Sequence, residues 1–137
     1  MVGLGIDAYV HLDLASAFDH VRTSTLSQAD LFRAEAVAAI LAAVALLVRP
    51  RRYTAGFAFL VAASGTIAVV LYRYVDVGAI GPIPNMYDPY WAPTGKWLSV
   101  VAEAAAAVAS ATLFVIYQRR ARETRLRRVA RPAPVAR

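Results

Sequence analysis

A chain of 137 residues that is 59% hydrophobic and 18% charged, with mean hydropathy +0.50, has more apolar surface than one soluble core can hide; soluble domains average about 45–50% apolar residues. It has no cysteine, which excludes disulfides, thiolate metal sites, iron–sulfur clusters and thiol nucleophiles. The net charge of +6 is no argument for nucleic acid, because no groove-reading helix or RNA-binding motif accompanies it.

In chain order, the first unit is 1–27. Its opening, Met1 to Leu14, is too short and too charged to span a bilayer, and it lacks the basic start and apolar core of a secretory signal. From Val10, the residues Leu14, Ala17, Phe18 and Val21 share one helical face, with Asp13, His20 and Arg22 elsewhere. This predicts an N-terminal amphipathic helix lying on the outer surface or partly inserted there. The rival is the outer remnant of a fourth span whose earlier part is missing. His11 with Asp7 four residues before it predicts a surface hydrogen bond, because two ligands are too few for a metal site.

A first span is predicted over 28–48. Its stretch from Ala36 to Val48 is 13 apolar residues without a break. Ser27 and Asp30 open it as an N-cap and capping box, and Arg49-Pro50 stops it. Asp30 and Arg33 can touch on one face, and Glu35 points elsewhere. The second span, 54–75, is interrupted by Ser64, Gly65 and Thr66.

The loop 76–96 carries Pro82, Pro84, Pro89 and Pro93, which restrict it enough to be ordered. Its aromatic residues Tyr87, Tyr90 and Trp91 suit either a lid over the helix ends or a recognition surface for a partner or an amphipathic molecule. The third span, 97–117, contains Glu103. A carboxylate six residues inside Trp97, about 9 Å down, needs a partner or water. Arg73 is the expected partner, with Arg33 or Tyr72 as alternatives. Glu103, Arg73, Arg33 and Glu35 thus form a candidate intramembrane polar cluster, either a structural pair at a solvated helix entrance or a vestibule opening outward. Ala102, Ala106 and Ser110, and Ala38 with Ala42, repeat at the four-residue spacing of close helix packing.

The tail, 118–137, should continue the last helix for a few turns and fray near Pro132 and Pro134. It and the 49–52 connection hold eleven arginines against Glu123 alone, whereas the opposite side holds four basic residues against seven acids. Positive residues stay inside. The N-terminus and the long loop are therefore expected outside, the tail in the cytoplasm, and Arg119, Arg120 and Arg122 on anionic lipid head groups. Tyr72, Tyr74 and Trp97 at one level, and Tyr53 and Tyr117 at the other, fit two interfacial belts.

Three stretches carry a likeness to known sequences: His11-Leu12-Asp13-Leu14, Leu31-Phe32-Arg33-Ala34-Glu35, and Gly81-Pro82-Ile83-Pro84-Asn85-Met86-Tyr87-Asp88-Pro89. Together they resemble a group of small, uncharacterised multi-pass membrane proteins of actinobacteria. A composition of 29 alanines and 14 arginines against one lysine agrees with a high-GC bacterial source. The resemblance implies four spans, with the His-Leu pair at the outer end of the first, and no assigned activity. This chain lacks most of that first span.

The expected fold is an all-α membrane protein: three transmembrane helices, or a truncated four-helix bundle, in the bacterial plasma membrane. The expected role is structural or accessory, through association with itself or another membrane protein. The alternative is a small oligomeric transporter or channel using Glu103. No nucleophile–base pair, phosphate loop, zinc-protease or dinucleotide motif occurs. No catalytic residue, metal or cofactor is therefore expected.

Overall fold

The computed structural model describes residues 1–92 and 94–129, and its regular structure there is entirely helical. The helices are α1 (Val2–Ala15), α2 (Gln28–Val48), α3 (Arg52–Tyr74) and α4 (Gly95–Val129), with a single 3-10 turn, Ser16–Phe18, after α1. Each helix packs on two others, α1 on α2 and α4, and α3 on α2 and α4, so the four form a closed ring. Gly95 lies against Leu14 and Val10, and Gly3 against Ala102 and Ala106, so α1 and α4 run antiparallel. Gly65 opposite Glu103 and Gly56 opposite Phe114 give the same sense for α3 and α4.

Two ends result. At the arginine end, Arg52 Nη1 donates to Gln118 Oε1 at 3.0 Å. Thr54 Oγ1 closes the 49–52 turn, donating to the Arg49 carbonyl at 2.7 Å and accepting from Arg51 N at 3.1 Å. At the loop end, α2 opens on the expected capping box: Ser27 Oγ accepts from Asp30 N at 3.2 Å, and Asp30 Oδ2 accepts from Ser27 N at 3.0 Å. The connection from 75 to 92 lies across this end. A tight turn places Gly81 at φ 58°, where a side chain would be strained, and pairs Ile80 with Ile83. Asp88 N donates to the Tyr72 carbonyl at 3.0 Å and Thr23 Oγ1 to the Pro82 carbonyl at 2.8 Å, tying the loop to α3 and to the α1–α2 connection.

The core is made of small residues. Ala36, Ala39, Ala42 and Leu46 on α2 meet Ala55, Ala58, Val61 and Ala62 on α3, with Ala102, Ala106 and Ala107 from α4. Large apolar side chains point outward instead, among them Ile40, Leu41, Leu47, Phe57, Leu60, Ile67, Val101 and Val108. The helices α2, α3 and α4 (to Arg127) are each long and apolar enough to cross a membrane. The span predicted over 28–48 coincides with α2, and α4 extends the third span twelve residues past Tyr117. The break expected near Pro132 and Pro134 lies outside the described residues.

A helix lying apart on the surface is not what forms: α1 packs on α2 and α4 as the fourth member of the ring. Its buried face is Leu4, Asp7, Ala8, Val10, His11 and Ala15. The apolar set from Val10 to Val21 cannot share one helical face because the α-helix ends at Ala15; Phe18, beyond it, packs edge-on to Phe32. Gly3 sits level with Ala102 and Ala106, so α1 accompanies only the loop-end half of α4.

Candidate functional site

Gly3, Asp7 and His11 follow one another at four-residue spacing and so lie on one face of α1. Gly3 permits close approach, since a Cβ there would stand 2.6 Å from the Ala102 carbonyl oxygen. Further along, the same seam turns polar. Ser99 Oγ donates to Glu103 Oε1 at 2.6 Å and lies 3.3 Å from Asp7 Oδ1. His11 Nδ1 is 2.7 Å from Asp7 Oδ1 and 3.1 Å from the Asp7 carbonyl oxygen. Both are acceptors, so Nδ1–H donates, and Nε2 is the ring atom that can ligate when the imidazole is neutral. α3 supplies room rather than a side chain: a Cβ on Gly65 would stand 2.7 Å from Glu103 Oε2.

Asp7 and Glu103 are 0% exposed and His11 7%. One ligating atom from each lies within 4.8 Å of the others. Asp7 Oδ2 and Glu103 Oε2 have no hydrogen-bond partner. Among the described residues no arginine or lysine pairs with either carboxylate; the ion pairs are His11–Asp7, Arg33–Asp30 and Lys96–Asp88.

Above this triad is a cavity of about 240 Å³, floored by His11 and Ser99, walled mainly by Leu31, Phe32, Ala68 and Tyr72, and roofed by Tyr90 and Trp91. Two charged groups line it without a partner for one polar atom each, Glu35 at Oε1 and Arg73 at Nε. The Arg73 guanidinium carbon lies 5.0 Å from the Tyr74 ring centre and 5.5 Å from that of Trp91. Lys96 is already engaged, by Asp88 and by the Tyr90 carbonyl at 3.3 Å.

Several expectations change here. The Glu103–Arg73 pair does not form. Antiparallel packing sets Glu103 beside Gly65, and Arg73 is eight residues further on, about 12 Å nearer the loop end at 1.5 Å per residue. Arg33 stays out of the cluster: it turns to Asp30 at 3.1 Å on the exposed face. Glu35 and Arg73 do share one cavity, with Glu103 beneath its floor. The His11–Asp7 contact is buried, not a surface bond, and Glu103 supplies the third ligand-type group it was thought to lack. Of the loop aromatics, Tyr90 and Trp91 line the cavity, whereas Tyr87 is not part of its lining. Arg119, Arg120 and Arg122 are exposed along the last turns of α4.

Ser99 and Gly65 are the residues that sequence reasoning missed as site members, whereas Asp7 and His11 were read only as a surface hydrogen bond. The available signal was the Gly3–Asp7–His11 spacing, which continues a close-contact glycine into a polar pair. Compared with known proteins, the chain matches no family model, no curated protein and no solved structure.

Proposed function

We propose that this chain is a small multi-pass membrane protein of accessory type whose loop-end half is a binding pocket for a single-ring amphipathic molecule. Membrane embedding is supported by the inverted distribution of side chains, alanine inside and leucine, isoleucine, valine and phenylalanine outside. In lipid, helix association comes from close van der Waals packing of small residues, and large apolar groups gain nothing by being hidden. The charge asymmetry then sets the loop end outside and the arginine tail in the bacterial cytoplasm.

The observation that carries the pocket is the cavity with its two unpaired charged residues. Its volume of about 240 Å³ exceeds the roughly 150 Å³ that suffices for benzene. Arg73 stands in the last turn of α3 and Glu35 in the second turn of α2, about 10 Å deeper along the bundle. A flat ring between Phe32, Tyr72 and Trp91, with an anionic head at Arg73 and a hydrogen-bond donor toward Glu35, satisfies both. Association with other chains alone leaves that cavity without a role.

The test uses 2-bromo-4-hydroxybenzoate and the protein in detergent, because bromine beside the carboxylate at Arg73 lies at the roof and quenches Trp91. Saturable quenching that Ala68→Phe abolishes is the expected result. Quenching that is linear, or equal in wild type and Ala68→Phe, overturns the pocket. Release of the chain from membranes by alkaline carbonate overturns the embedding.

A further inference from the structure

The buried triad beneath the cavity remains unexplained by that pocket. We infer that Asp7, His11 and Glu103 form a binding site for one divalent first-row transition-metal ion, taken as Zn²⁺ or Mn²⁺.

Charge is the first argument. Two carboxylates and one imidazole lie together in an interior where neither carboxylate is paired with arginine or lysine. Even with His11 protonated, ionised Asp7 and Glu103 leave one negative charge uncompensated, which a low-dielectric interior penalises heavily. A dication with neutral His11 brings the group to zero. The second argument is the unpartnered oxygens. Asp7 Oδ2 and Glu103 Oε2 are unsatisfied although both side chains are completely buried. Buried polar atoms are almost always satisfied by protein, water or an ion.

Geometry is the third. Ligand atoms around a tetrahedral ion with bonds of about 2.1 Å stand about 3.4 Å apart. The three groups already offer atoms within 4.8 Å, so small side-chain rotations close the shell. Gly65 leaves the space in which Glu103 can move: its carboxylate fills the volume where a Cβ would be. Ser99 holds the other Glu103 oxygen, the kind of outer hydrogen bond that orients metal-ligating carboxylates. Two oxygens and one nitrogen suit zinc or manganese, whereas magnesium and calcium favour oxygen alone. His11 and Ser99 form the cavity floor, so the ion has a path in from the loop end. A proton held between Asp7 and Glu103, with His11 bonded to Asp7, is the rival occupant; it leaves the triad indifferent to Zn²⁺ and Mn²⁺, which metal uptake reads directly.

The site stands independently of the proposed pocket ligand, because metal uptake and bromine quenching are separate readouts and either can fail alone. The experiment takes the full chain in detergent, with a tag free of histidine, stripped by chelator and titrated with ZnCl₂ or MnCl₂. Bound metal is counted by elemental mass spectrometry. One ion per chain is expected, with affinity reduced about 100-fold in Glu103→Gln and in His11→Asn and unchanged in His20→Ala. Uptake that is no greater in wild type than in Glu103→Gln, that follows His20, or that Mg²⁺ and Ca²⁺ match overturns the site. Should both variants fail to fold, X-ray absorption of the zinc-loaded wild type decides. A shell containing one imidazole nitrogen and carboxylate oxygens supports the site, and a shell without imidazole overturns it.

Discussion

The two halves of the bundle are built on different principles. Toward the arginine end, α2, α3 and α4 pack through Ala42, Ala55, Ala58 and Ala107, with no charged side chain in that core among the described residues. Toward the loop end, α1 completes the ring, and the same close packing is interrupted by Asp7, His11, Ser99 and Glu103 and by a cavity. Small-residue seams suffice to hold helices together, as the first half shows. The second half gives up some of that packing for buried polar groups, which are expensive in a low-dielectric interior.

Substitutions at small residues should separate the halves, read as thermal unfolding in one detergent. Gly3→Val is expected to cost most, about 3 kcal/mol, because its Cβ meets backbone at 2.6 Å and α1 must leave α4. A wild-type melting temperature for this variant would mean that α1 is not held by the seam. Ala58→Leu, fully buried in the three-helix half, should cost about 2 kcal/mol by overpacking and leave bromine quenching and metal uptake intact. Gly65→Ala should cost about 1 kcal/mol, since the Glu103 side chain it displaces is flexible, yet should lower metal uptake at least tenfold.

Its counterpart Gly56→Ala meets only the Phe114 ring at 3.4 Å, an ordinary contact. It should be neutral or stabilising by about 0.5 kcal/mol through helix propensity. Equal effects of the two glycine substitutions would erase the distinction between halves. Arg33→Ala should leave the melting temperature and both binding readouts unchanged, because its ion pair with Asp30 is solvent-exposed.

The three long helices, the capping box at Ser27 and the stop at Pro50 were all legible in the residues, because apolar run length, N-capping and proline geometry act within a few turns of chain. The extension of α4 past Tyr117 was legible for the same reason. Glu103 was also legible as a residue in need of a partner, through its depth alone. Its partner was not. Choosing Arg73 required the relative register of α3 and α4, and the long loop between them leaves that register open.

α1 shows the same limit from the other side. Its polar residues read as a surface face because the sequence does not say that a second carboxylate, on α4 and ninety-six residues away, lies against them. Periodicity and composition specify how each helix meets its solvent. Which side chains of different helices meet each other depends on rotation and sliding of whole helices, set by where glycines and alanines let backbones touch. Only the assembled bundle decided that Asp7, His11 and Glu103 share one buried point.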